Sequence, residues 1–169
     1  MNVKEAIFLR RSVRKYQEKE VSKEIIQELL ESAMAAPSAC NKTPWEFYII
    51  TNKEKQELIK NSSPNYNFNS PLLIVVGANL DYTLSKEPND FWIQDCSAAI
   101  ENMLVEAVEL GLGTCWCGVY PRVDRVNKIR NILNLNDNII PLGVIHVGYP
   151  DELKDARTQF DFNKCHYID

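Results

Sequence analysis

Histidine is nearly missing from this chain of 169 residues: only His146 and His166 occur. Neither stands with cysteines or acids at a zinc-binding spacing, so a metal centre is not expected. His146 lies in an apolar run and reads as a core or interface residue. His166 directly follows Cys165, a poor placement for a nucleophile and its base. Glycine is also sparse, with six residues, and the chain carries neither a P-loop nor a G-x-G-x-x-G after a strand. A Walker-type phosphate loop and a Rossmann dinucleotide site are therefore not expected. Long basic runs are absent and the net charge is -4, which argues against nucleic acid as a partner. No apolar stretch approaches the ~20 residues that span a bilayer. Lys4, Glu5, Arg10 and Arg11 interrupt any secretory core at the N-terminus, so the expected location is the cytoplasm. The five cysteines are odd in number, and reduced thiols are expected there. Cys115 and Cys117 form C-x-C rather than C-x-x-C. On a strand both would face the same side, as two apolar-like residues.

The length fits one domain over 1–169, and 45% apolar with 25% charged residues is ordinary for a globular protein. Asn2 can cap a short helix bearing Val3, Ala6, Ile7 and Leu9. Ser22 can cap a stronger one carrying Ile25, Ile26, Leu29, Leu30, Ala33 and Met34, stopped by Pro37. Further helices are predicted over 53–60, about 89–110 and 122–133. The one over 89–110, fourth of the five, is apolar nearly all round its middle, as in a buried or interface helix. Strands are predicted over 45–51, 72–77, 114–119 and 139–147. The run Leu72 to Val76 is continuous, as in a strand covered on both faces. Residues 61–71 read as a polar loop or a frayed helix end. The last nineteen residues are irregular, yet hold Phe160, Phe162, Tyr167 and Ile168. Four strands among five helices give an α+β or mixed α/β class.

Two polar knots stand out. Arg10, Arg11, Ser12 and Arg14 fall within five residues and read as an anion clamp: guanidiniums are permanent forked donors, and the hydroxyl adds a short one. The alternative is a solvated helix end. The second knot runs from Ala36 to Trp45. Taken singly, its Pro37 and Ser38 can be a helix stop and Asn41 a turn residue. Likewise Gly111 and Gly113 can be a cap and a turn, Trp116 a core residue, and Arg157 a surface one.

Taken together, Arg10 to Tyr16, Ala36 to Trp45, Gly111 to Gly118, and Gly148-Tyr149-Pro150 followed by Arg157 resemble, in order, the blocks of the FMN-dependent nitroreductase family. The resemblance implies an α+β nitroreductase-like fold, with a central mixed or antiparallel sheet of four to five strands flanked by helices, in an intertwined homodimer with active sites at its interface. It implies that Arg10, Arg11, Ser12 and Arg157 hold the FMN phosphate. Arg14 would lie near the pyrimidine edge, where the reduced flavin carries negative charge. Pro37, Ser38, Ala39 and Asn41 would cover the ring from the neighbouring subunit. Trp116, Cys117, Gly118 and Val119 would pass it with backbone N–H groups, and Asn69 would face the pyrimidine. The implied activity is a ping-pong oxidoreductase cycle, with NAD(P)H as transient donor and nitroaromatics, quinones or related conjugated electrophiles as oxidants. No side chain is implied as an acid–base catalyst. A flavin-storage protein with little turnover is the alternative. The chain departs from the family pattern at Thr43, where glutamine is usual, and in the brevity of the segment between Gly77 and Phe91.

Overall fold

The computed structural model describes residues 1–85 and 90–168. Helix α1 (Val3–Leu9) starts at a capping box: Asn2 accepts from the Glu5 N–H, and Glu5 accepts from the Asn2 N–H at 3.1 Å. Helix α2 (Lys23–Met34) starts at Ser22, whose side chain accepts from the Ile25 N–H. Strand β1 (Trp45–Ile50), helix α3 (Lys53–Asn61) and strand β2 (Leu72–Asn79) follow. Then come α4 (Trp92–Glu109), β3 (Gly113–Gly118), α5 (Val123–Leu133) and β4 (Ile139–Gly148). The expected start of α4 near Asn89 lies outside the described residues. Within the expected 61–71 loop, Pro64–Tyr66 form a single tight turn that buries Tyr66 completely.

The four strands pair in the order β1-β2-β4-β3, every pair antiparallel. The predicted α+β sheet of four to five strands is thus a four-stranded antiparallel one among the described residues. Residue parity divides its faces. Leu72, Ile74, Val76 and Ala78, with Ile145 and Val147, pack under α2 and α4. Leu73, Val75, Cys115, Cys117 and Val144 pack under α3 and α5. Both faces are covered, which explains the unbroken apolar run in β2. Each fully buried Leu, Ile or Val contributes about 1.5–3 kcal/mol by leaving water. His146 sits among them with no exposed surface, its Nδ1 2.7 Å from Ser70 Oγ. Among the described residues, no helix is long and apolar enough to cross a membrane.

The C-terminal stretch differs from the rest. Leu153, Phe160, Phe162, Tyr167 and Ile168 are all exposed, at 63% or more of their surface. Phe162 and Tyr167 stack loosely on each other, at 6.4 Å between ring centres.

Candidate cofactor site

Strand β3 is an edge strand, so half of its main-chain groups face away from β4. Two bonds fix which half. The Val119 N–H donates to the Leu142 carbonyl at 2.9 Å, so odd-numbered residues face β4. The Thr114 carbonyl accepts from the Val13 N–H at 2.9 Å, so even-numbered residues face outward. Ser12 covers the start of this outer edge through a parallel bridge to Thr114. At the far end, the Gly118 carbonyl accepts from Tyr66 Oη and from Arg125 Nη1, each at 2.9 Å. Between these two covers, the Trp116 and Gly118 N–H groups point out of the sheet.

That gap opens on a cavity of about 460 Å³ lined by Arg14, Tyr66, Phe68, Trp116, Gly118 and Arg125 among others. Cys115 and Cys117 also line it, on the same side of the strand as the C-x-C spacing predicts. Their thiols touch. The hydrogen bond from Cys117 favours the Cys115 thiolate, aided by the Arg14 and Lys154 charges, and pulls that thiol down; the same contact and burial push the Cys117 thiol up. A Cβ on Gly118 would meet nothing within 4 Å. The cavity holds two guanidiniums and no carboxylate in its lining. A flat ligand with acceptor atoms along one edge and partial negative charge fits this donor set.

The structure brings some of the predicted residues together and sets others apart. Arg14, Trp116, Cys117 and Gly118 share the cavity. Val119 is fully buried, with its N–H committed to Leu142. Asn69 is engaged at both ends of its amide by the Tyr16 backbone, donating at 2.7 Å and accepting at 3.0 Å. It therefore ties its loop to the segment that carries Arg14. The Arg10 Nε lies 3.4 Å from a Glu101 carboxylate oxygen. Arg11 donates to the Asp155 carbonyl and lines a second, smaller cavity of about 200 Å³ with Thr114 and Lys154. Lys154 Nζ donates to the Ser12 carbonyl. The Arg157 N–H donates to the Phe8 carbonyl at 3.0 Å, which brings the far end of the chain to the end of α1, beside Arg10.

Pro37, Ser38, Ala39 and Asn41 line neither cavity of this chain. They belong to an unusual turn in which Cys40, Asn41 and Thr43 all have positive φ (48°, 52° and 45°). For residues other than glycine this conformation costs on the order of 1–2 kcal/mol each, less for Asn. Polar contacts hold it. Ser38 Oγ accepts from the Thr43 N–H at 2.9 Å, and Asp95 Oδ1 accepts from the Ala39 N–H at 2.8 Å. Asp95 is 5% exposed, and burial pushes its carboxyl pKa up.

Sequence reasoning missed Tyr66, Phe68, Arg125 and Lys154. A signal for Arg125 existed. Its helix neighbours three and four positions away are Pro121, Arg122, Lys128 and Ile129, so no acid stands ready to pair with it.

Comparison with known proteins identifies the family and the fold. A family model described as "Nitroreductase family" matches residues 7–68 and 65–149. A relative from Methanothermobacter thermautotrophicus, with the provisional name NADH dehydrogenase/NAD(P)H nitroreductase, is 44% identical over 168 residues, covering 98% of this chain and 86% of its own length. A crystal structure from Parabacteroides distasonis, under the same provisional name, superposes with a TM-score of 0.91 at 37% identity, covering 98% of this chain and 96% of that one. An FMN-dependent nitroreductase from Clostridium difficile superposes with a TM-score of 0.87 at 34% identity, covering 97% of this chain and 98% of that one.

Proposed function

The chain belongs to the nitroreductase family, and from that premise we propose that it is an FMN-dependent NAD(P)H oxidoreductase acting on nitroaromatics, quinones or related conjugated electrophiles. The observation that carries this reading is the open stretch of β3, where two outward N–H groups and a glycine without a Cβ border a cavity walled by Tyr66 and Phe68. FMN, when bound, supplies the two-electron chemistry between donor and oxidant. The protein's part is to bind, orient and charge-stabilise. The Trp116 and Gly118 N–H groups offer donors to acceptor atoms on the edge of a flat ring. Arg14 offers positive charge where a reduced ring becomes negative. The backbone carries Arg10, Arg11, Ser12 and Arg157 to the end of α1, where their side chains would form the phosphate clamp. Lys154 adds a cation beside Ser12. The Cys117 peptide carries no outward N–H, so its share in binding is the wall it forms. The same holds for Val119, one layer further in.

The dimer belongs to the same proposal. Exposed apolar side chains on the C-terminal stretch want a second surface, and Pro37, Ser38, Ala39 and Asn41 would close the ring pocket of a partner subunit. Sedimentation equilibrium tests this part: a dimer is expected, and a stable monomer that retains FMN contradicts shared sites. Steady-state oxidation of NADH and NADPH with a quinone or a nitroaromatic acceptor tests the activity. Turnover with either donor is expected. A protein that holds FMN yet gives no turnover with any acceptor is a storage protein.

A further inference from the structure

Among the described residues, Arg125 is a cation without a counter-ion. Its guanidinium donates to the Gly118 carbonyl and touches Tyr66, lying 5.6 Å over that ring. Among the described residues it makes no ion pair. The adjacent acid, Asp124, lies 3.3 Å from Arg122 Nε instead. Arg125 is half-buried in the wall of a cavity whose only other permanently charged side chain is Arg14, itself 5.9 Å from the Phe68 ring centre; the Cys115 thiol, which Arg14 helps to ionise, also lines it. Two like charges facing one partly desolvated space repel each other, and an anion entering that space relieves the repulsion. Gly118 and Tyr66 use only part of the guanidinium fork and hold the remainder in place. A planar carboxylate is the ligand that such a fork matches in two bonds. The surrounding walls are aromatic, which suits the rest of a flat molecule.

We propose that Arg125 is the anion contact of an oxidant subsite, and that this chain prefers flat aromatic oxidants bearing a carboxylate over their uncharged counterparts. This rests on the FMN oxidoreductase reading. Arg14 serves the cofactor in that reading, which leaves Arg125 for the second substrate.

The test uses benzoate and benzamide, a matched pair that accepts no electrons, titrated into the FMN-loaded protein and followed by the change in the flavin spectrum. Benzoate is expected to bind at least about tenfold tighter than benzamide, as a charge-assisted contact implies. The preference is expected to shrink with rising salt. In Arg125→Gln the benzoate-to-benzamide ratio is expected to fall toward one, and Arg125→Lys is expected to restore part of it. Equal binding of the two probes by the unaltered protein overturns the inference and needs no variant. So does an unchanged ratio in Arg125→Gln, or a change confined to the KM for NAD(P)H, which assigns Arg125 to the phosphates of the donor. A protein that holds no FMN defeats the functional reading itself. One that holds FMN, is reduced by NAD(P)H and shows no preference for charge defeats only this inference.

Discussion

The Trp116 indole lies directly over Gly143 on the neighbouring strand: a Cβ added at Gly143 would collide with its Nε1 and sit 2.8 Å from its Cδ1. The missing side chain on β4 thus creates the seat for the Trp116 indole on the α2/α4 face of the sheet, opposite the face of Cys115 and Cys117. Gly143→Ala must push the indole or the strands apart. Such overpacking costs about 1–3 kcal/mol. Urea unfolding of the variant is expected to show that loss, together with weaker FMN binding as the β3 edge and its outward N–H groups shift.

Gly118 is the opposite case, because the space beside it is open. Gly118→Val is expected to leave the unfolding free energy within about 1 kcal/mol of the parent, since a β-branched residue suits a strand and meets no neighbour. Its side chain would occupy the approach to the outward N–H groups. FMN affinity is expected to fall by about tenfold or more, a steric loss in the range of other overpacked sites. Fluorescence titration with FMN, beside a urea curve, separates the two effects.

Arg10→Ala tests the clamp. The Arg10–Glu101 contact is long, at 3.4 Å, and its acid is half exposed, so it contributes little to stability. A desolvated guanidinium–phosphate contact is worth roughly 1.5–3 kcal/mol, which is about ten- to a hundredfold in FMN affinity. Equilibrium binding of FMN is expected to weaken by that factor, with the thermal midpoint nearly unchanged. Unchanged affinity removes Arg10 from the clamp.

His146 gives the fold a sensitivity to acid. Burial, with a smaller contribution from the nearby Lys60 charge, drives its pKa from the ordinary value down to about 3. The unfolded chain therefore takes up a proton that the folded chain refuses. Stability is expected to be full above an unfolded pKa of about 6.5 and to decline as the pH falls toward 3, by at most about 1.4 kcal/mol per pH unit from this group. Urea midpoints measured from pH 7 to pH 4 are expected to fall less steeply in His146→Gln than in the parent.

Local patterns made much of this legible in the sequence. The run from Leu72 to Val76 announced a strand covered on both faces, Ser22 announced its helix, and the spacing of Cys115 and Cys117 gave their shared side. The cluster from Arg10 to Arg14 was visible because its charges are adjacent in the chain. Arg125, Tyr66 and Lys154 were not, because only tertiary structure brings them to Gly118 and Ser12, across 7, 52 and 142 residues respectively. The turn at Cys40, Asn41 and Thr43 was hidden for another reason. None is glycine, and the bonds that hold the turn come from Ser38 and the distant Asp95. Asn69 illustrates the limit of motif reading: its type suited a ring contact, while its amide is bound on both sides to Tyr16.

The visible absorption spectrum of the purified protein tests the central claim most directly. The open edge of β3 is expected to hold FMN, giving a yellow protein with close to one flavin per chain that NADH or NADPH bleaches in the absence of air. A colourless protein that takes up no added FMN contradicts the account.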